Sequence, residues 1–276
     1  MPPFVWHIPR PLLMGIVNVT PDSFSDGGRF FDPDIAVEHA LRLVAEGAGI
    51  LDIGGESTRP GADVVPIDEE LRRVMPVIER LAKLTDRPIS LDTSKAEVAR
   101  AGLAAGATIL NDVAGLRDPA MVDVAAQSGA GVVVMHMRGD PRTMQLNPSY
   151  GDVVGEVADY FAERIRALTD AGIARSAIAL DPGIGFGKTL EHTRLQLREL
   201  RKLQAFGLPV CLGVSRKGFL GQVTGKSRPE RMAGSLAVAC FALAEGAAQI
   251  LRVHDVAAHT DAIKIAMFLL RPPPSD

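Results

Sequence analysis

Met14–Gly28 reads Met-Gly-Ile-Val-Asn-Val-Thr-Pro-Asp-Ser-Phe-Ser-Asp-Gly-Gly. It begins as an apolar strand, reaches Asn18, and becomes a loop crowding Thr20, Pro21, Asp22, Ser23, Phe24 and Ser25 ahead of the Gly27-Gly28 pair. Pro, Asp, Ser and Gly also dominate ordinary turns, so this loop alone reads equally well as a surface turn. Recurrence decides between the two readings. The same event, an apolar strand that ends in polar chemistry, repeats along the whole chain.

Leu12–Val17 is the first of a series of short apolar runs. The others are Ile50–Ile53, Pro88–Leu91, Thr108–Leu110, Ala130–Met135, Ala177–Leu180, Pro209–Val214 and Gln249–Val253. Segments of helical periodicity separate them: Asp34–Glu46, Asp68–Leu84, Lys95–Ala104, Pro119–Gln127, Asp152–Ala171, Thr189–Ala205, Pro229–Glu245 and Asp255–Leu270. Near-continuous apolar strands alternating with helices predict a parallel sheet covered on both faces. Repeated this often in one chain, the pattern predicts an α/β fold, a closed (β/α)₈ barrel rather than an open doubly wound sheet. Helix-boundary signals agree: Asp32-Pro33 and Asp118-Pro119 at starts, and glycine after Ala171, Phe206 and Glu245 at ends.

No composition shift splits the chain, so residues 1–276 are expected to form one domain. The proline-rich residues 1–11 make a short N-terminal extension expected to plug the barrel bottom, and 271–276 an unstructured tail. The chain has 276 residues, 47% hydrophobic and 23% charged, and a formal charge of -3 with no basic block. That balance argues against nucleic-acid or membrane-surface partners and for small-molecule substrates. Cys211 and Cys240 lie in apolar runs and read as buried thiols, which points to a reducing cytoplasm. The helix around Ala233–Ala244 is apolar on every side, so a second subunit is expected to cover it.

In a parallel barrel, chemistry collects at the C-terminal ends of the strands. Read in order, those ends carry Asn18; Asp52 with Gly54–Pro60; Asp92–Lys95; Asn111-Asp112; Met135–Arg138; Asp181–Gly183; Ser215–Lys217; and Arg252–Asp255. Asp52, Asp92, Asn111, Asp112 and Asp181 suit a planar, donor-rich heterocycle, because a buried carboxylate needs donors. Arg59, Lys217, Arg252 and His254 supply positive charge, with Asn18 and Thr58 as neutral polar groups. Such a cluster suits a phosphate or diphosphate with Mg²⁺.

Other motifs fail. In Asp181–Thr189 a nucleotide phosphate loop would need its first glycine where Pro182 stands. A dinucleotide fingerprint fails because the last glycine comes one residue early. The histidines lack zinc spacing, and His39, His192 and His259 are expected on helix surfaces. There is no Gly-x-Ser-x-Gly elbow. A Schiff-base role for Lys217 finds no neighbour that would lower its pKa.

Met14–Gly28, Asp52–Gly61, Ser90–Lys95, Asn111-Asp112, Met135–Gly139, Asp181–Lys188, Gly213–Phe219 and Arg252–Val256 together resemble the bacterial dihydropteroate synthase family, from the first strand to the last. The resemblance implies a transferase of folate biosynthesis. It would join 7,8-dihydropterin-6-ylmethyl diphosphate to 4-aminobenzoate and release diphosphate. Carried over by motif, Asp92, Asn111 and Asp181 would bind the pterin edge, with Lys217 nearby and Met135 in the wall. Asn18 would ligate Mg²⁺, and Asn18, Thr58, Arg59, Arg252 and His254 would hold the diphosphate. Phe24, Pro60, Phe186 and Ser215 would frame the 4-aminobenzoate. Asp22, Arg59, Lys217, Arg252 and His254 would form the catalytic set, with Asp22 and Phe24 entering only when their loop closes. Homodimers, general in the family, would fit the apolar helix. A pterin-binding methyltransferase shares the barrel and the acids but has no need of Ser215–Lys217 together with Thr20–Ser25. A non-catalytic paralogue would have no reason to keep Asn18, Asp22, Arg59, Lys217 and His254.

Overall fold

The computed structural model describes residues 3–20, 32–57, 62–140 and 143–270. Its strands are β1 (Leu12–Asn18), β2 (Ile50–Gly54), β3 (Ile89–Asp92), β4 (Ile109–Asp112), β5 (Gly131–Met135), β6 (Ile178–Asp181), β7 (Cys211–Leu212) and β8 (Ile250–Val253). They run parallel in the order β6-β5-β4-β3-β2-β1-β8-β7. The two ends of that series meet: Leu180 bridges to Val210, and the Leu180 N–H donates to the Pro209 carbonyl at 2.8 Å. The sheet therefore closes on itself as an α/β barrel. β7 is shorter than the apolar run Pro209–Val214 suggests. Val210 pairs back to β6, and the chain leaves the sheet after Leu212 to turn at Ser215-Arg216.

The helices are α1 (Pro33–Glu46), α2 (Ile67–Leu84), α3 (Ala96–Ala105), α4 (Pro119–Ser128), α5 (Val153–Asp170), α6 (Leu190–Arg198), α7 (Gly218–Thr224), α8 (Met232–Ala244) and α9 (Val256–Leu269). Their ends follow the sequence signals. Asp32 accepts the Asp34 N–H at 2.8 Å, Asp118 accepts that of Ala120 at 2.9 Å, and Asp152 that of Val154 at 3.0 Å. Each satisfies a donor that the first helical turn leaves open. Gly172, Gly207 and Gly246 are left-handed, as the terminating glycines should be. The expected helix Thr189–Ala205 instead divides into α6 and a tighter 3₁₀ stretch, Leu200–Phe206. Leu200 and Leu203 are both buried there, and a three-residue repeat puts both on the core. The seven-residue α7, with Gly218 and Gly221, is too short and glycine-rich to show periodicity in the sequence.

Side chains alternate across each strand, so the barrel has two apolar compartments. Leu13, Val17, Leu51, Ile53, Leu91, Leu110, Val132, Val134, Leu180 and Leu251 point outward and pack under the helices. Met14, Ile50, Ile109, Val133, Ala179, Cys211 and Ile250 point inward and form a separate cluster. Phe4, Trp6, Ile8 and Leu12 pack against that inner cluster and close the barrel bottom. Backbone bonds from Phe4 to the Gly129 carbonyl (2.8 Å) and from Trp6 to that of Ser176 (3.0 Å) hold the plug. The Trp6 indole N–H donates to the Ala177 carbonyl at 2.8 Å.

Two surface expectations change. His259, expected on a helix surface, is fully buried in α9, its Nδ1 2.7 Å from the Asp255 carbonyl. Cys240, expected buried, is only half-buried. On α8, Ser235, Ala239, Ala242 and Leu243 face inward, while Met232 and Phe241 are exposed and uncovered by the described part of the chain. No described helix is long and apolar enough to cross a membrane.

Candidate functional site

The inner surface of the barrel changes character within one alternation step. Ile50 is followed two residues later by Asp52, Ile109 by Asn111, Val133 by Met135, Ala179 by Asp181 and Ile250 by Arg252. The second member of each pair points the same way as the first, one layer nearer the C-terminal rim. The apolar layer is a floor, and the layer above it is polar and sealed from water on every side but the top.

A chain of contacts organises that polar layer. The Arg252 Nε donates to Asp52 Oδ2 at 2.6 Å and its Nη2 to Asp92 Oδ2 at 2.6 Å. Asn111 Nδ2 donates to Asp52 Oδ2 at 3.2 Å. Burial works against the Arg252 charge, but the two carboxylates outweigh it and push the guanidinium above its ordinary value. One cation faces two acids, and burial pushes Asp92 up to about 7 despite the pull of Arg252. Asp92 is thus a buried acceptor with few donors of its own, which a donor-rich ring edge would supply.

The second acid, Asp181, ends β6 and accepts the Gly183 N–H at 2.7 Å. Burial raises its pKa while Lys217 and Arg252 pull it down. Gly183 has φ +64, and a β-carbon there would run into the His136 carbonyl, so only glycine lets the turn pass. Lys217 lies with its Nζ 4.0 Å from the centre of the Phe186 ring. Burial lowers it to about 8, which reverses the expectation that nothing near Lys217 depresses its pKa. Met135, Val113, Met137 and Met144 pack with Phe186 into a flexible apolar wall.

At the β7–β8 side, Ser215 Oγ accepts the His254 N–H at 3.2 Å and lies 3.0 Å from His254 Nδ1. His254 was expected to carry positive charge; instead burial, with Arg252 and Arg216 nearby, lowers it to about 3, so the imidazole is neutral. Asn18, last residue of β1, points into the barrel and is half-buried. A cavity of about 290 Å³ opens beside Asp92, lined also by Glu56, Ser57, Glu70, Thr93 and Val113.

Asp112 does not join the acceptors. Its carboxylate accepts the N–H groups of Ala114 and Leu116, both at 2.8 Å, and serves its own loop. Its place at a strand end hid this, since an Asx turn and a ligand contact begin with the same residue. Lys188, set aside with the failed phosphate loop, proves to be buried structure. Its Nζ donates to the carbonyls of Gly183 (3.0 Å) and Phe186 (3.1 Å) and lies 3.0 Å from His136 Nδ1. Burial lowers Lys188 to about 7. It ties the turn that carries Phe186 to the end of β5. Asp22, Phe24, Thr58, Arg59 and Pro60 lie outside the described residues.

The family model of pterin binding enzymes matches residues 14–254. This chain belongs to that family. The dihydropteroate synthase of Escherichia coli K12 is 48% identical over 256 residues, covering 93% of this chain and 90% of its own. That of Neisseria meningitidis serogroup B is 50% identical over 263 residues, 93% of this chain and 92% of its own. Among solved structures, Xanthomonas albilineans dihydropteroate synthase with 4-aminobenzoic acid superposes with a TM-score of 0.91 at 50% identity, over 96% of this chain and 95% of that one. The same enzyme with 7,8-dihydropteroate gives 0.88 at 46% identity, over 97% of both chains. The barrel fold of this chain is thus shared with those synthases.

Proposed function

We propose that this chain is a dihydropteroate synthase, condensing 7,8-dihydropterin-6-ylmethyl diphosphate with 4-aminobenzoate to give 7,8-dihydropteroate and diphosphate. The observation that carries the reading is the polar layer itself: Asp92, Asn111 and Asp181 buried at the C-terminal ends of β3, β4 and β6, with Arg252 bonded to Asp92 and Lys217 close enough to Asp181 to shift its pKa. A pterin ring edge presents amino and ring N–H donors that match those acceptors, and its carbonyl and ring nitrogens match Lys217.

The reaction needs no protein nucleophile. The bond between the pterin methylene carbon and the diphosphate oxygen breaks, and the electron pair leaves with the diphosphate. The ring delocalises the resulting positive charge. The neutral arylamine nitrogen then attacks the methylene carbon and loses a proton. Arg252 stabilises charge growing on the leaving group, and it is already oriented by Asp52 and Asp92. His254, neutral and fixed by Ser215, would donate a hydrogen bond to a diphosphate oxygen. The Phe186 face and Met135 would exclude water, which would otherwise capture the cation.

Among the described residues no cluster of three His, Cys, Asp or Glu side chains could hold a metal. Asn18, at the end of β1, would offer its amide oxygen to a Mg²⁺ ion carried by the diphosphate, an oxygen donor of the kind that ion prefers. Such an ion would offset negative charge on the leaving group. We place a second copy of the chain over the exposed apolar residues of α8. Free Cys211 and Cys240 accord with the reducing cytoplasm. The deciding experiment mixes the purified chain with the pterin diphosphate and Mg²⁺, with and without 4-aminobenzoate. Release of diphosphate dependent on the arylamine is expected. Release that ignores the arylamine would overturn the reading.

A further inference from the structure

Val214–Lys217 leaves β7 as a turn closed by the Lys217 N–H on the Val214 carbonyl at 3.3 Å. Its third residue, Arg216, has φ +55, and Ser215 before it is not left-handed. Positive φ at this position is the type II pattern, where glycine or asparagine normally stands. An arginine there carries strain that glycine would remove, so turn shape alone does not explain the side chain.

The strained residue is held from three directions. Its N–H donates to Ser235 Oγ at 2.9 Å, and the buried Ser235 bonds back to the Arg231 carbonyl at 3.0 Å. The Arg231 Nη1 reaches the carbonyls of Arg216 (3.3 Å) and Lys217 (3.4 Å). The Arg216 guanidinium forks onto Asp255, with Nε to Oδ2 at 2.9 Å and Nη2 on Oδ1. Asp255 follows His254, as Arg216 follows Ser215. Ser215–His254 and Arg216–Asp255 are therefore adjacent rungs fastening the turn after β7 to the loop after β8. The next residue along is Lys217, partly buried over the Phe186 ring and near Asp181, Asp92 and Arg252. A solvated surface ion pair would contribute little. This one is bidentate, with the Asp255 side chain 16% exposed, and it spans two residues of the site.

We propose that the Arg216–Asp255 pair is a positioning device for the reaction, holding Ser215 and Lys217 in place against His254 and Phe186 without touching substrate itself. The proposal rests on the synthase reading. Its role is geometric: the fork fixes the turn in the plane of the loop after β8, and the left-handed residue aims Lys217 inward. Lysine in place of Arg216 would keep the charge and lose the fork.

The test compares wild type with R216G, R216K, D255N and the R216G/D255N double variant. Glycine relieves the left-handed strain, so R216G should melt close to wild type. Its kcat/KM should nevertheless fall about tenfold or more, since small misplacements near reacting groups are expensive. R216K should not rescue it, and D255N should match it. The double variant should be no worse than either single one, because all remove one interaction. A Lys217 released from burial regains its proton affinity, so the alkaline limb of the activity profile should move to higher pH in R216G. A fully active R216G, or losses that multiply in the double variant, would overturn the proposal. If R216G does not fold, R216N, which also tolerates the left-handed region, replaces it. A wild type that releases no diphosphate refutes the synthase reading instead. Calorimetry with a pterin then still decides the pair's role: about tenfold weaker binding by R216G supports it, and equal binding sinks it.

Discussion

The floor and the rim of this barrel are built on the same strands, two residues apart, and obey opposite rules. Met14, Ile50, Ile109, Val133, Ala179 and Ile250 satisfy each other by contact alone. Asp52, Asp92 and Asn111, one layer up, are also buried, with Arg252 partly so, and must satisfy each other by charge and hydrogen bonds. Burial stabilises the first group and strains the second. Asp92 near 7 and Lys217 near 8 are signs of that strain. The floor serves folding, and the rim holds groups that a ligand would relieve.

The sharpest way to break the contrast is Arg252→Met. It leaves Asp52 buried with Asn111 as its remaining partner among the described residues, which should cost about 3–5 kcal/mol of stability in a denaturant titration. Diphosphate release should fall by about 10²–10³. An unchanged midpoint would mean that the acids need no cation. Asp181→Asn should weaken pterin binding by roughly 2–5 kcal/mol, read by calorimetry. Stability should move the other way. Burial raises the folded-state pKa of Asp181, so its favourable contribution is present in acid and lost as pH rises through that value. The asparagine variant should therefore melt no lower than the parent at pH 8; a clear loss there would show that the carboxylate supports the fold. Smallest is Ile109→Val in the floor, expected to lose about 0.5–1.5 kcal/mol of stability. Its kcat/KM should stay within about twofold. A larger catalytic loss would show that the floor transmits to Asn111 above it.

Much of this contrast was legible in the sequence, because strand periodicity fixes which residues share a face. Asn18, Asp92, Asn111, Asp181 and Arg252 could each be placed on the inner rim from their position in an apolar run. What could not be read is which neighbour each side chain chooses. Asp112 and Asp92 both close a strand, yet one caps its own loop and the other faces Arg252. Lys188 stood in a motif that failed, and nothing local indicated that its partners lie around Gly183 and on His136. The depressed Lys217 and His254 depend on burial by distant segments, and the strain at Arg216 on a φ angle that its identity argues against.

Trp6 is the single tryptophan of the chain, and its indole is spent on the underside of the barrel, hydrogen-bonded to Ala177. Intrinsic tryptophan emission will consequently report the release of the N-terminal segment and the melting of the floor. It will stay nearly silent when a ligand fills the opposite end, so a fluorescence titration of this protein watches the wrong side of the molecule.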